Sequence, residues 1–186
     1  MQRHSLYNIF EEQYGSIQLL HGNEGRFPQT ILRKIEKHRR EKVSECIPLG
    51  KKLDVLEIGC GDGSFLERNS SRWNSVIGVD VVSHRILQAR KRRFDIPAKF
   101  FCADFGIEKI PLKSSSLDCV VSIATLQYVG DLDNLFKEIK RVLIKNGKFI
   151  FEVPNAAVFW RRLLFLFGRL PKTTSARLPS KGMVMV

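Results

Sequence analysis

A chain of 186 residues has room for one domain with a hydrophobic core, but not for a second full domain. Hydrophobic residues make up 44% of the chain and charged residues 27%, which argues against intrinsic disorder and against a membrane protein. A formal charge of +12 would draw the chain toward phosphates, nucleic acid or anionic lipid, but it does not identify a partner.

Part of this positive charge lies in one cluster that contains no acidic residue. A solvated helix face is the favoured interpretation, because such runs usually keep a helix soluble. The cluster consists of Arg85, Arg90, Lys91, Arg92 and Arg93. From Arg161 onward, six further basic residues face no acid.

The four cysteines show neither C-x-x-C spacing nor histidine partners, so no metal site is predicted. We expect all four to be reduced residues of the core, namely Cys46, Cys60, Cys102 and Cys119. The amino end lacks the apolar stretch of a secretory signal, and no window holds the ~18 uncharged apolar residues of a membrane span. A cytoplasmic protein is expected.

Three segments are predicted in chain order: a helical arm (residues 1–50), an α/β core (51–155) and a basic, apolar carboxyl-terminal helix and tail (156–186). Thr30 is predicted to cap a helix of the arm that runs to about Cys46. Four apolar residues of this helix are expected to face the core, namely Ile31, Leu32, Ile35 and Val43. Its basic residues are expected to point outward, namely Arg33, Lys34, Lys37, Arg39 and Arg40.

The core alternates short apolar strands with amphipathic helices. This pattern predicts an α/β fold, a Rossmann-like three-layer sandwich with a mostly parallel sheet. The predicted strands are Asp54–Ile58, Ser75–Val79, Ala98–Cys102, Leu117–Ser122 and Lys148–Val153. Helices are predicted to begin near Gly63, Ser83 and Asp131. The last of them shows apolar residues at a spacing of 3.6, and Gly147 is expected to end it in a left-handed conformation.

Three alternating glycines follow the first predicted strand, in the sequence Glu57-Ile58-Gly59-Cys60-Gly61-Asp62-Gly63. Such a turn lets a ligand approach the backbone, and the amide groups of a following helix favour its negative end. Packing alone also places glycines between a strand and a helix, which leaves a structural role open. A dinucleotide fingerprint needs its last glycine where Ser64 stands, so a nicotinamide cofactor is disfavoured.

Three more strand ends are expected at the same edge of the sheet. Asp80 follows the second strand, where a carboxylate can accept hydrogen bonds from both hydroxyls of a ribose. Asp104 and Phe105 follow the third strand and offer an acceptor for an exocyclic amine and a ring for a flat base. The fourth strand delivers the segment from Ile123 to Tyr128. Ligand sites of open α/β sheets form in such a crevice.

The motifs E-I-G-C-G-D-G, G-V-D, A-D-F and S-I-A-T-L-Q-Y-V together resemble class I S-adenosylmethionine-dependent methyltransferases. The similarity covers roughly residues 51–155 and falls in the methyltransferase type 11 group, with MetW-like features after Val153. It implies S-adenosylmethionine as the cofactor, S-adenosylhomocysteine as its product, and direct in-line methyl transfer.

The same resemblance implies a set of cofactor-binding residues. Glu57 and the backbone of Gly59 and Gly61 would hold the methionine moiety. Asp80 would bind the ribose, and Asp104 and Phe105 would hold the adenine. The implied set is completed by Cys60, Gly63, Val81 and Ile123. It contains no catalytic residue, and Tyr128 stands where many relatives have histidine.

Class I relatives continue past the fifth strand through a helix into an antiparallel hairpin, but few residues follow Val153 in this chain. The last strands are therefore expected to be missing. Truncation is the favoured explanation, and a partner chain that completes the sheet or a compact variant are the alternatives. An exposed sheet edge would favour a homo-oligomer. The segment Val158–Leu170 is predicted to be a helix buried against the sheet, although it also fits a membrane surface or a cover over an apolar acceptor.

The main functional hypothesis is a methyltransferase that acts on a small molecule or metabolite. An RNA-directed methyltransferase is the first alternative and draws on the positive charge. It is disfavoured because Ser122-Ile-Ala-Thr stands where many base-amine methylating relatives have N-P-P-Y or D-P-P-Y. The second alternative is a truncated domain that binds the cofactor or a protein partner without turnover.

Overall fold

The computed structural model describes residues 29–104 and 108–153, and for residues 29–33 it describes the backbone alone. Four helices lie in these ranges, namely α1 (Gln29–Cys46), α2 (Ser64–Arg68), α3 (Ser83–Arg90) and α4 (Leu132–Val142). Five strands lie there as well, namely β1 (Leu53–Ile58), β2 (Trp73–Asp80), β3 (Ala98–Cys102), β4 (Leu117–Ile123) and β5 (Leu143–Glu152). Short 3-10 turns cover Ser70–Arg72 and Leu126–Tyr128.

The strands form one sheet in the order β3-β2-β1-β4-β5, and every neighbouring pair is parallel. The carboxyl ends of all five strands therefore lie at one edge. β1 sits at the centre because its residues are apolar on both faces, and Val55 and Leu56 are fully buried. Among the described strands, β3 and β5 are the outer ones.

Helices cover both faces of the sheet. Val55 belongs to an apolar cluster with Val43 of α1, Phe65 of α2 and Ile86 of α3. The next residue, Leu56, points to the opposite face and belongs to a cluster with Leu135, Ile139 and Val142 of α4. The predicted three-layer α/β sandwich is confirmed. The prediction that the last strands of the sheet are missing concerns residues outside the described ranges.

Asp131 caps α4 as its position in the sequence predicts, since its side chain accepts a hydrogen bond from the amide of Asn134 at 2.9 Å. Gly147 was predicted to end this helix in a left-handed conformation, and that prediction is wrong. α4 ends at Val142 and β5 begins at Leu143, so the chain passes directly from helix to strand. The left-handed residue is Asn146, at φ 66°. The register between β4 and β5 is irregular there, and asparagine tolerates this conformation better than most residues.

Gly147 is needed for close packing instead. A Cβ added at this glycine would lie 3.0 Å from the carbonyl oxygen of Ile144.

Two predictions for the arm are also wrong. Thr30 lies inside α1 and does not cap it. Ile35 is 45% exposed, whereas Val43 is 4% exposed and lies in the core as expected. Eight residues of helix rotate Ile35 by about 80° from Val43, and this rotation takes it off the buried stripe. The side chains of Ile31 and Leu32 fall outside the described residues.

The cysteines divide into two pairs. Cys60 and Cys119 are buried as predicted, whereas Cys46 and Cys102 are exposed, which corrects the prediction that all four are core residues. Cys46 is the last residue of α1, and Cys102 is the last residue of the outer strand β3. All four are free thiols.

No helix within the described ranges is long and apolar enough to span a membrane. The same ranges contain no group of three His, Cys, Asp or Glu side chains arranged to hold a metal ion.

Candidate functional site

The glycine turn after β1 has a backbone conformation that residues with a side chain rarely adopt. Gly59, Gly61 and Gly63 adopt φ values of 77°, 54° and 75°, in the left-handed region that glycine enters without strain. The turn is tied to β2, because the amides of Gly59 and Cys60 both donate to the carbonyl of Val79, at 2.8 and 2.9 Å. A Cβ on Gly59 would lie 1.9 Å from Oγ1 of Thr125. The turn therefore packs directly against the segment that follows β4.

Glu57 lies in β1 just before this turn and is buried, with 3% of its surface exposed. Its Oε2 atom is fully enclosed and accepts no hydrogen bond. Burial raises the pKa of Glu57 well above its ordinary value, and the carboxylates of Asp80 and Asp62 raise it further. The charge of Arg40 works in the opposite direction. A buried acceptor without a donor is costly and marks a place where a ligand with a donor would fit.

Arg40 reaches this region from α1. Its Nη1 donates to the hydroxyl of Ser64 at 2.6 Å, and its Nη2 donates to Glu36 at 2.7 Å. The neighbouring Arg39 places its Nε 3.4 Å from Oε1 of Glu152, at the end of β5. Both arginines are half-buried, which corrects the prediction that they point outward. The helix of the arm is thereby attached to the edge of the sheet where the candidate site lies.

Asp80 ends β2 and is buried beside the turn. One carboxylate oxygen accepts a hydrogen bond from the amide of Gly61 at 2.8 Å, and the other accepts from Val82 at 2.9 Å. The side chain is therefore fixed in place before any ligand arrives. Val81 is half-buried next to it.

Asp62 joins the turn to the basic cluster. Burial alone would raise the pKa of Asp62, but hydrogen bonds from Ser64 and Arg92 lower it below its ordinary value. Arg92 binds the carboxylates of both Asp62 and Glu67. Arg90 donates from Nε and Nη2 to the carbonyl of Phe100, at 3.2 and 2.8 Å. The prediction of a solvated face is thus wrong for Arg92. Arg85 is also half-buried, whereas Arg90, Lys91 and Arg93 are exposed as predicted.

The segment after β4 has an unusual backbone. Ala124 has φ 51°, a conformation that costs a non-glycine residue ~1–3 kcal/mol and is concentrated at functional sites. Its amide donates to the carbonyl of Glu152 at 3.0 Å, and its carbonyl accepts from Nε2 of Gln127 at 2.8 Å. Ile123, which precedes it, is half-buried and pairs with Glu152 in the sheet.

The structure brings together most of the predicted site residues, namely Glu57, Gly59, Cys60, Gly61, Gly63, Asp80 and Val81. Cys60 is buried in the turn, and burial raises the pKa of its thiol. Asp104 is half-buried just after β3, and Phe105 lies outside the described residues. Sequence reasoning placed Gln127 at the site as part of the segment from Ile123 to Tyr128, but it missed the polar groups of Arg40 and Glu152. Their positions depend on how α1 and β5 pack, and no local motif signals that.

A sizeable surface cavity lined by described residues lies elsewhere. It has a volume of about 590 Å³ and follows the outer strand β3, between Arg90 and Phe101. Another cavity, of about 300 Å³, lies between α4 and β5. The candidate site is therefore identified by its strand ends, its glycines and its buried acceptors rather than by the size of a cavity.

Comparison with known proteins agrees with this geometry. A family model described as a methyltransferase domain, type 11, matches residues 56–151, which is more than half of the chain. The chain belongs to this methyltransferase family. The match begins in β1 and ends in β5, so it covers the glycine turn and all four strand ends described above.

A curated relative is a malonyl-[acyl-carrier protein] O-methyltransferase of Methylovorus, 32% identical over 63% of this chain. The match covers 43% of that relative, so the chain spans less than half of its length. A solved S-adenosylmethionine-dependent methyltransferase from Mesorhizobium loti is 26% identical, with a TM-score of 0.56, over 61% of this chain and 52% of that one.

A Thermotoga maritima protein described as a possible histamine N-methyltransferase covers 87% of this chain and 68% of its own, at 25% identity and a TM-score of 0.60. The resemblance to class I methyltransferases is confirmed, and the family supports S-adenosylmethionine as the cofactor.

Proposed function

We propose that the chain is an S-adenosylmethionine-dependent methyltransferase that acts on a small molecule or metabolite. The observation that carries this proposal is Glu57, whose buried Oε2 lacks a donor directly beside a glycine turn. The cofactor has a primary ammonium on its methionine moiety, which is the kind of donor that this atom requires. Family membership supports the same cofactor.

Each part of the cofactor has a matching group on the chain. Glu57 and the backbone of Gly59 and Gly61 would hold the methionine moiety, where a Cβ would obstruct a close approach. Asp80 would accept hydrogen bonds from the ribose hydroxyls. Asp104 and Phe105 would hold the adenine. The remaining lining is assigned to Cys60, Gly63, Val81 and Ile123.

The bound cofactor supplies an electrophilic methyl group that is bonded to a sulfonium, and the sulfonium is the leaving group. The chain then has to orient the acceptor in line and keep water out, and such positioning can supply much of the rate enhancement. No residue is assigned as a catalytic acid or base. Tyr128 lies in the turn that follows β4 and is 37% exposed, and we propose that it lies between the cofactor and the acceptor.

Relatives with methyl acceptors of different kinds share this fold, so the fold does not select one. A small-molecule acceptor is favoured over RNA because Ser122-Ile-Ala-Thr follows β4 where an N-P-P-Y type of sequence would be expected for a base amine. A cytoplasmic location, and a homo-oligomer formed through a sheet edge, stay predictions. Membrane contact through Val158–Leu170 stays an alternative, and this segment lies outside the described residues.

Calorimetric titration with S-adenosylmethionine and S-adenosylhomocysteine tests the proposal. We expect micromolar binding by the wild type, and at least tenfold weaker binding, about 1.4 kcal/mol, by Asp80→Ala. Asp95→Ala is the matched control because Asp95 is exposed, and it should bind like the wild type. A folded wild type that binds neither compound would refute the cofactor site and leave a domain that acts only through other partners.

A further inference from the structure

The cavity along the outer strand β3 is formed by residues that play no part in the cofactor contacts proposed above. Its volume of about 590 Å³ lies within the range of ~300–1,000 Å³ that is usual for small-molecule sites. The end of α3, the loop that follows it and β3 form its walls. Eight described residues line it, of which three are basic, three are aromatic and none is acidic. The basic ones are Arg90, Arg92 and Lys99, and the aromatic ones are Phe94, Phe100 and Phe101.

Two of the basic side chains have donors to offer a ligand. Arg90 donates from Nε and Nη2 to the carbonyl of Phe100, and among the described residues its Nη1 has no partner. Lys99 is exposed, and no acid within the described ranges pairs with its ammonium. Residues 90–99 hold five basic residues and one acidic residue, Asp95. An anion would therefore be attracted to this cavity and bound by these two side chains.

The aromatic residues add a surface for a flat ring. The ring centroids of Phe94 and Phe100 lie 5.7 Å apart, and the planes are tilted by 43°. Phe100 is buried, whereas Phe94 and Phe101 are half-buried and keep part of their surface accessible. Aromatic rings are stabilised in such contacts by burial and by their quadrupoles. A ligand that carries both a ring and a negative charge would match both parts of the cavity.

The outer edge of β3 is closed to an added peptide strand. The carbonyl of Pro97 and the amide of Ala103 both bind β2. Residues of a parallel strand alternate between its two edges, so Phe100, at an odd spacing from both, directs its carbonyl to the outer edge. Arg90 occupies this carbonyl, which a further strand would need for its ladder of hydrogen bonds. The cavity therefore fits a small ligand better than an extended peptide.

Arg92 joins the cavity to the glycine turn. It lines the cavity, and at the same time its Nε donates to the carbonyl of Asp62 at 2.5 Å. Its Nη atoms bind the carboxylates of Asp62 and Glu67. Asp62 also accepts from the amide of Ser64 at 3.2 Å, at the start of α2. An anion in the cavity would compete with these carboxylates for the guanidinium, and the turn would then be held less firmly.

We propose that the cavity along β3 binds an organic anion with a flat ring, and that this ligand lowers the affinity for the cofactor through Arg92. The site itself is independent of the proposed function, whereas its effect on the cofactor rests on that function. Arg90 and Lys99 bind the anionic group, and Phe94 contacts the ring. Because the two sites are coupled, the cofactor lowers the affinity for the anion by the same factor.

Calorimetry of the full chain with naphthoate, the neutral naphthamide and inorganic phosphate tests the class of ligand. We expect naphthoate to bind roughly tenfold more tightly than either of the others, because it alone has both the charge and the ring. The double substitution Arg90→Gln/Lys99→Gln should weaken this binding roughly tenfold. Lys99→Gln alone should weaken it in the same direction, and it serves where loss of the contact to Phe100 destabilises the double variant.

Lys52→Gln/Arg68→Gln is the matched control, because it removes the same charge from two exposed residues outside the cavity. It should bind naphthoate like the wild type. The comparison separates the site from the general attraction of a chain with a formal charge of +12.

Titration with S-adenosylhomocysteine at rising concentrations of naphthoate tests the coupling. We expect the dissociation constant of S-adenosylhomocysteine to rise roughly fivefold and then to level off, because both ligands can be bound at once. Competition for a single site would raise it without limit. In Arg92→Gln the constant should not depend on naphthoate, because the residue that links the cavity to the turn is absent.

The inference is overturned if naphthoate binds no better than naphthamide, or if the control pair weakens its binding as much as the cavity pair does. An unchanged dissociation constant for S-adenosylhomocysteine, or a rise without limit, would overturn it as well. Transfer RNA whose binding depends on Arg90 and Lys99, with no binding of naphthoate, would assign this surface to nucleic acid instead. A wild type that binds naphthoate but not S-adenosylhomocysteine would refute the proposed function and the coupling, and would leave the ligand site in place.

Discussion

Glu57 is an ionisable residue that is almost completely buried. We therefore expect its protonation to change when the cofactor binds. Its pKa is raised above the ordinary value of 4.5, mainly by burial. A carboxyl group whose pKa is higher in the folded state contributes stability that is fully present below the unfolded pKa. That contribution is lost as the pH rises through the folded pKa. The wild type should therefore lose stability from about pH 4.5 upward through this group.

Glu57→Gln should remove this pH-dependent loss, because a neutral amide of the same shape has no charge to bury. We expect the variant to melt at a higher temperature than the wild type at neutral pH, and to bind S-adenosylhomocysteine roughly tenfold more weakly. Melting curves between pH 4 and 8, together with calorimetry, measure both effects. Equal melting temperatures at every pH, with unchanged affinity, would contradict the role given to Glu57.

Gly59 has both a left-handed φ and no space for a side chain. We expect Gly59→Ala to lower the free energy of unfolding by about 1–3 kcal/mol, because the new methyl group would collide with Thr125. Gly130→Ala is the matched control, since a Cβ there meets no atom within 4 Å. Chemical denaturation should show little change for the control, within about 0.5 kcal/mol. Equal stability of the two variants would mean that the turn and the segment after β4 are not packed as described.

At the scale of elements, the strands were the most predictable part of the fold. All five predicted strands are present, and the parallel order follows from alternating apolar strands and helices. The helix after the glycine turn was predicted to begin near Gly63, and it begins at Ser64. Local patterns suffice here because a buried strand needs apolar residues and each helix needs one apolar face.

Contacts between distant elements could not be predicted in this way. The binding of Arg92 to Asp62 and Glu67 depends on how α3 and the chain after it lie beside the glycine turn. From the sequence, Arg39 and Arg40 are predicted to face solvent. Because α1 packs against the sheet, Arg39 instead contacts Glu152 and Arg40 contacts Ser64. The glycine turn and Asp80 were found from local motifs, whereas the buried side-chain oxygens of Gln127 and Glu152 that accept no hydrogen bond were found only from the structure.

The arm helix should contribute to stability through its carboxyl end. Ile47, just after α1, is 2% exposed, whereas Ile35 within the helix is 45% exposed. We expect Ile47→Ala to cost about 2–4 kcal/mol of unfolding free energy because it leaves a cavity. Ile35→Ala should cost much less, within about 0.5 kcal/mol. Urea titration of both variants measures the difference, and equal losses would show that α1 does not pack on the core through this end.

The whole molecule carries a formal charge of +12, which by itself attracts any polyanion. We expect transfer RNA to bind weakly and without sequence preference, with an affinity that falls steeply as salt is raised from about 50 to 200 mM. No methyl group should be transferred to it from labelled S-adenosylmethionine. Methylated transfer RNA would instead establish the RNA-directed alternative and reject the small-molecule acceptor.

The crystal structure of the chain with S-adenosylhomocysteine tests the cofactor site most directly. We expect the ligand at the carboxyl edge of the sheet, with its ammonium within hydrogen-bond distance of Oε2 of Glu57 and its ribose hydroxyls on Asp80. Ligand density in the cavity along β3, or none in the crevice at saturating ligand, would contradict the assignment of this edge as the cofactor site.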